Sequence, residues 1–360
     1  MTRIASCCLL MMAEMISAGS AQAKLDAPRA APRIVLSVFQ SGQVIVFDAE
    51  TGRALRAIPS RDGGGISAIA ISPSDGTLII VDESLQSRLR LFDAKTFSLL
   101  KEEHFANRVL NFNDHRLLHL SADGNWLFLY TYSYADDKSG LRIYDVRHLD
   151  FVSSAIRDLA CAAPVLASAS GGSVFALCPG NIQDISPQSG EFASRASVAV
   201  PLTQVVAAAA TPDGHHLYAI GTSSSGGGWQ LIDWDRDSGG FTQRDLATLL
   251  TLPPSETGGS GFTSIAFSSD TRSFALVRGV ELWVIDRLTS KANSHHKLPS
   301  PAIATDFVPD GGNVLSLHGE QGSEFTLITT PVGAGESRSI TIRTERHGAS
   351  PVSFAVGPGN

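Results

Sequence analysis

The sequence predicts an all-β fold, a seven-bladed β-propeller whose C-terminal strand closes the first blade, and three observations predict it. The first is residues 65–100, which read as four short strands. Ile69 and Ile71 alternate with Ala68 and Ala70 before a tight turn at Pro73, Ser74, Asp75 and Gly76. Leu78, Ile79, Ile80 and Val81 are apolar on both faces, as in a strand covered from both sides. Arg88 and Arg90 then alternate with Leu89 and Leu91 up to a second turn at residues 93–96. The second observation is that this unit repeats. Its first turn recurs at Asp75-Gly76, Asp123-Gly124, Gly171-Gly172, Asp213-Gly214, Asp270-Thr271, Asp310-Gly311 and Gly359-Asn360. Its second turn is announced at Phe47-Asp48, Phe92-Asp93, Tyr144-Asp145, Gln183-Asp184, Ile232-Asp233, Ile285-Asp286 and Ile328-Thr329. Each series counts seven. The third observation is that the two series are out of phase at the ends, so residues 351–356 supply the innermost strand of the blade begun by residues 33–59. Such closure leaves no open edge between first and last blades.

Taken in order, residues 1–23 have the form of a secretory signal: Arg3, a short apolar run over residues 4–16, and Ala21-Gln22-Ala23 as a small-x-small cleavage site. The run is too short to span a membrane. Residues 24–32 read as a flexible lead-in, and residues 33–360 as the propeller, with about 48 residues to a blade. A periplasmic or secreted location follows. The net charge of -7, with no basic block, argues against nucleic acid and anionic membrane surfaces as partners. Cys7 and Cys8 would leave with the signal, and Cys161 and Cys178 flank the turn of the fourth blade. An even pair in an exported chain is expected to form a disulfide, the alternative being two buried thiols.

The third blade carries Trp126, Phe128, Tyr130 and Tyr132 alternating along one face. Such a ladder packs one blade against the next, or else makes a substrate platform. Between the fifth and sixth blades lies the longest insertion, where Leu246, Leu249 and Leu250 before Pro253 predict one or two helical turns. An insertion of this kind lines one face of the disc, where function concentrates.

No nucleophile elbow, zinc-protease helix, haem-attachment motif or phosphate loop is present in the sequence, and Gly258, Gly259 and Gly261 are loop glycines. The adjacent pairs His215-His216 and His295-His296 suggest a metal, but neighbours on an extended chain face opposite ways, so each pair offers one ligand to any site. His104, His115, His119 and His318 would converge only if their loops faced the central channel. Asp82, Glu83, Asp136, Asp137, Asp306, Glu320 and Glu324 suggest an axial calcium site, against the reading that they are solvated loop carboxylates. Catalytic, cofactor-binding and metal-ligating residues are therefore expected to be absent from this chain.

QVIVFDAETGRALRAI and ISAIAISPSDGTLIIV resemble the units of bacterial YVTN-type propellers. A narrower resemblance rests on the export signal, on LHLSADGNWLFLYTYSYA followed by LRIYDV, on Cys161 and Cys178 bracketing a turn, on GGSGFTSIAF after the insertion, and on HGASPVSF near the end. In these features the chain is similar to the heavy subunit of the periplasmic quinoprotein amine dehydrogenases of the methylamine and aromatic amine type. The resemblance implies a non-catalytic scaffold for oxidative deamination of primary amines. Its partner would be a small subunit bearing tryptophan tryptophylquinone, with electrons passing to a periplasmic copper protein or cytochrome. The lead-in is shorter than the family's N-terminal arm. The other reading is an exported YVTN-type propeller that binds a protein or a surface ligand, and a third is a propeller hydrolase with an axial metal.

Overall fold

A computed structural model of the chain describes residues 33–38, 42–61, 65–83, 87–93, 95–105, 118–133, 138–146, 156–157, 159, 161, 164–188, 191–223, 228–250, 262–268, 272–308, 311–319, 324–333, 335–343 and 351–357. The chain divides after Ala30 into two units, and all of these residues lie in the second. The signal-like segment and the lead-in fall outside the described residues.

The chain forms a β-propeller. Six sheets are each folded from one continuous stretch of four antiparallel strands. They comprise β4 (Gly65–Ile71), β5 (Leu78–Glu83), β6 (Ser87–Phe92) and β7 (Leu99–Phe105); β8 (Leu118–Leu120), β9 (Trp126–Ser133), β10 (Lys138–Asp145) and β11 (Ile156–Arg157); β12 (Val165–Ser168), β13 (Val174–Cys178), β14 (Asn181–Gln188) and β15 (Glu191–Ala199). The other three are β16 (Leu202–Ala210), β17 (His216–Ser223), β18 (Trp229–Asp235) and β19 (Phe241–Asp245); β20 (Phe262–Phe267), β21 (Ser273–Arg278), β22 (Glu281–Asp286) and β23 (Lys291–Lys297); and β24 (Ala302–Phe307), β25 (Asn313–His318), β26 (Glu324–Pro331) and β27 (Arg338–Arg343). A further four-stranded sheet is composite: β28 (Pro351–Gly357) pairs with β1 (Arg33–Val38), followed by β2 (Gln43–Asp48) and β3 (Ala54–Pro59). Its register sets Leu36 opposite Phe354 and Val35 opposite Ala355, as the phase of the repeats requires.

The first strands of the sheets touch in a cycle, β28 to β4, β8, β12, β16, β20, β24 and back to β28. Crowding around one axis explains their composition, which is rich in small residues such as Ala68, Ala167, Ala210 and Ala266. Hydroxyls join neighbours across this ring: Thr305 Oγ1 donates to Ser264 Oγ at 2.6 Å, and Ser168 Oγ donates to the Leu120 carbonyl. Larger side chains fill the space between sheets further out. Phe128 and Tyr130 are fully buried, and Trp126 and Phe128 meet Phe192 of the next sheet edge-on at 5.0 and 6.2 Å. The aromatic ladder is therefore packing between sheets, with the Tyr132 side chain outside the described residues.

The repeated turns have a common chemistry. Asp48, Asp93, Asp235 and Asp286 each accept backbone N–H groups from two or three residues ahead, closing the turn before the outer strand. Those hydrogen bonds hold the Asp93, Asp235 and Asp286 carboxyls below the usual range, the N–H groups of Thr96, Ser238 and Thr289 being foremost. The sequence signal at Ile232-Asp233 lies two residues early, because Asp233 is inside β18. The first turns also lock one sheet to the next. Asp123 accepts the Gly171 N–H at 3.2 Å, and Gly124, at φ +71°, sits where a Cβ would lie 2.6 Å from Ser72 Oγ of the preceding sheet.

Two carboxylates tie sheets together. Asp184 of β14 takes a two-pronged ion pair from Arg236, which follows β18, at 2.8 and 3.0 Å. Arg236 also lies over the Phe175 ring, 5.6 Å from its centre. Because Asp184 is only 2% exposed, removing its partner leaves an uncompensated charge. Arg236→Met is expected to destabilise the protein by about 3–5 kcal/mol in urea denaturation, whereas a loss under about 1 kcal/mol would mean the pair behaves as a surface one.

Asp306 of β24 accepts the Phe307 N–H at 2.8 Å and the N–H of Val356 in β28, so it bridges the last sheet to the closing strand. Burial outweighs these bonds and pushes its pKa up to about 6. A carboxyl whose pKa is higher folded than unfolded binds more protons in the native state, so its contribution to stability is greatest at acid pH and declines as pH rises from about 4 to 6. Asp306→Asn keeps an acceptor without the charge. It is expected to raise stability at pH 7, by up to about 3 kcal/mol, and to flatten the pH dependence between 4 and 6. Equal slopes for the two proteins would contradict this.

Candidate functional site

Antiparallel order puts the first and second turns of every sheet on one side of the disc. Each outer strand ends, and the next inner strand begins, on the other side. The two longest connections between them join β7 to β8 (residues 106–117) and β19 to β20 (residues 246–261). The helical turn expected in the second exists as α1 (Leu246–Leu249), capped by Asp245, which accepts the Thr248 N–H at 3.0 Å. Leu246 and Leu250 are buried beside Trp283 and Leu231, wedging the helix between two sheets. Gly258, Gly259 and Gly261 lie outside the described residues.

Cys161 and Cys178 are joined by a disulfide, with their Cα atoms 5.7 Å apart. Cys178 ends β13 and is buried, while Cys161 lies in the segment leading into β12 and not on a strand. The bond thus pins the connection from the third sheet against the fourth.

The expected histidine pairs do split to opposite sides. His215 Nδ1 meets Asp237 at 2.7 Å and His216 Nδ1 meets Asp233 at 3.0 Å. His295 Nε2 meets Glu281 at 2.5 Å and its ring stacks on Trp283 with centres 5.1 Å apart. His296 faces the other way, with Nε2 enclosed and no hydrogen bond, and burial followed by the charge of His295 lowers its pKa. His318 is a satisfied core residue: Nδ1–H donates to the Ser300 carbonyl at 2.9 Å and Nε2 accepts from Ser316 Oγ at 2.8 Å. Burial lowers its pKa and favours the neutral ring. His104 bonds Glu102 at 3.0 Å, His119 lies on the inner strand β8, and His115 lies outside the described residues.

The acidic residues do not converge either. Asp82 is buried and bound two-pronged by Arg90 at 2.7 and 2.8 Å; burial raises its pKa against the pull of Arg90. Asp306 bridges strands near the axis, and Glu324 pairs with Arg343 at 2.9 Å on the surface. Glu83 ends β5, while Asp136, Asp137 and Glu320 lie outside the described residues. Among the described residues no three histidine, cysteine or acidic side chains gather as metal ligands. No helix among them is long and apolar enough to cross a membrane.

Space is available elsewhere, on both flanks of the composite sheet. A cleft of ≈ 1140 Å³ opens at the turn end of its interface with the last sheet, with Leu315, Thr329 and Ile340 on one wall and Ala49, Glu50 and Thr51 on the other. A smaller one of ≈ 350 Å³ lies toward β6, with Ile58, Phe92 and Phe97 among Arg56, Arg61 and Arg90. Arg61 is tied to Glu102 at 2.6 Å and Arg90 to Asp82. The candidate binding surfaces are these two clefts. Sequence reading missed the clefts, although Ala49 and Ala94 stand after the turn aspartates where Arg236 and Arg287 stand in other repeats.

No family profile and no curated protein matches the chain. Among solved structures it is similar to a functionally unknown protein from Desulfotomaculum acetoxidans, at 12% identity over 92% of this chain and 100% of that one, with a TM-score of 0.65. It is also similar to the dihydro-heme d1 dehydrogenase NirN in complex with DHE, at 15% identity over 92% of this chain and 76% of that one, with a TM-score of 0.54. Kuenenia stuttgartiensis hydrazine synthase matches at 12% identity over 90% of this chain and 99% of that one, with a TM-score of 0.56. At such identities the likeness is one of fold, and the fold is a β-propeller.

Proposed function

We propose that the protein is a periplasmic scaffold of the amine dehydrogenase heavy-subunit kind. In this reading the composite sheet counts as a full blade, giving a ring of seven, and the long-connection side holds a small quinone-bearing subunit. The observation that carries the reading is the Cys161–Cys178 disulfide, which braces the fourth sheet where the resemblance expects it and suits an oxidising compartment. The pairing of ionisable groups within the chain supports it as well: Asp184 with Arg236, Asp82 with Arg90, His295 with Glu281. Such a molecule contributes rigidity and a shaped surface. The quinone would belong to the partner, tryptophan tryptophylquinone supplying the oxidation of a primary amine, and a copper protein or cytochrome would take the electrons.

Pull-down of the tagged full chain from the organism that encodes it is expected to bring a small subunit that stains for quinone and reduces an electron-accepting dye when a primary amine is added. Recovery of the chain alone, or with a partner lacking quinone staining, would overturn this reading in favour of a free-standing binding propeller. The two clefts beside the composite sheet are the features that favour that second reading.

A further inference from the structure

The large cleft beside the composite sheet marks a position that the chain fills from within at other interfaces. The residue just after the third strand donates its N–H to the residue that precedes or begins the second strand: Val146 to Asn125, Arg236 to His215, Arg287 to Arg272 and Val332 to Gly312, at 2.8 to 3.1 Å. Each of these side chains points at the preceding sheet or is packed near it. Arg236 crosses to Phe175 and Asp184, which are opposite one another in their sheet. Arg287 repeats the move: it hydrogen-bonds the Tyr218 hydroxyl, which also bonds Asp233, and Tyr218 and Asp233 are again opposite partners. Val146 and Val332 fill their interfaces with apolar bulk.

At the seam this pattern breaks. Ala49 follows the turn aspartate Asp48 where Arg236 follows Asp235 and Arg287 follows Asp286. The opposite partners facing it are Leu315 and Thr329 in place of Phe175 with Asp184 or Tyr218 with Asp233. Gly52 allows the turn to approach closely, since a Cβ there would lie 2.4 Å from Ile340 Cγ2. Ala49 packs at the edge of the core that the two sheets share, and its short side chain leaves the ≈ 1140 Å³ cleft open beyond it. Leu315 and Ile340 give it an apolar lining. The exposed carboxylates of Glu50 and Glu336 stand on its rim against one guanidinium, Arg338, leaving the rim acidic on balance.

We infer that this cleft is a docking site for a partner protein's extended basic segment, one arginine of which enters where the chain's own Arg236 and Arg287 enter at other interfaces. The aliphatic stem would lie along Ile340 and Thr329, and the guanidinium would face Glu50 and Glu336. The inference goes beyond the scaffold reading and does not need a quinone or a small subunit.

The test is titration of the full chain, by calorimetry or fluorescence anisotropy, with a blocked pentapeptide carrying a central arginine among alanines, and with its citrulline counterpart. The arginine peptide is expected to bind at least about tenfold more tightly, and the preference to shrink with salt. Ala49→Arg fills the position from within and is expected to abolish binding. Because that variant could alter folding, the exposed pair Glu50→Gln with Glu336→Gln gives an independent arm. It is expected to weaken binding about tenfold while the urea midpoint stays unchanged. Equal binding of the two peptides, binding unaffected by the Glu50→Gln and Glu336→Gln changes, or no binding at millimolar peptide would overturn the inference. None of these outcomes bears on quinone recovery in the pull-down, so the two proposals fail separately.

Discussion

The pairing of β28 with β1 is the contact on which the rest of the molecule depends. Without it the chain is a curved stack of sheets with two uncovered flanks, and the apolar faces of Leu315, Leu317, Phe325 and Leu327 lose the cover that Phe47, Phe354 and Val356 supply. A main-chain ladder is well suited to this task, because register fixes which side chains face the last sheet. Its partners lie at opposite ends of the sequence, yet the entropy of closing so long a loop grows only logarithmically, by about 0.6 kcal/mol per doubling. The larger consequence is kinetic: this ladder is the most non-local set of contacts in the fold and is expected to be completed late.

Closure also places an unusual burden on the composite sheet. Each continuous sheet is built by one stretch of chain, whereas this one must serve both ends at once. Asp306 lies at this junction, its carboxylate accepting the Val356 N–H in a setting that disfavours its charge. The same sheet is flanked by both clefts. Elsewhere the gaps are taken by Phe192, Trp234, Tyr218, α1 and the Arg236–Asp184 pair. The interfaces beside the seam have cores of their own, and the open space lies at their edges, which is where an external side chain meets least resistance.

Much of this was legible in the sequence, because a propeller writes its strand order into turn residues. Asp75-Gly76, Asp123-Gly124 and Asp213-Gly214 all fall at first turns, and Asp48, Asp93 and Asp286 all close second ones. The composite sheet followed from phase alone, and the leucines at 246, 249 and 250 announced a helix at that place. What the sequence hid was the destination of charge. Arg90 reads as a solvent-facing residue in an alternating strand, but it is 5% exposed and clasps Asp82 across the same face. Asp184 reads as a turn aspartate, yet it sits within β14 as the buried partner of Arg236. The first is a diagonal pair across neighbouring strands of one sheet, fixed by register, and the second depends on which sheet face meets which neighbour.

The clefts were hidden for a related reason. A cavity between repeats is produced by what a position lacks relative to its equivalents, so it becomes visible only after the repeats are superposed on their hydrogen bonds. Ala49 is unremarkable by itself in a turn. Set beside Arg236 and Arg287, or the smaller Val146 and Val332, it is the shortest side chain at a place where two repeats insert a long cation. A buried interface left short of such a side chain would ordinarily collapse or destabilise the sheets around it. Here Phe47, Leu317, Phe325 and Leu327 still pack together between the composite sheet and the last one, so the gap is confined to the turn end of the interface where Ala49 stands. An interface with its core intact can leave its turn end open without loss of the ring.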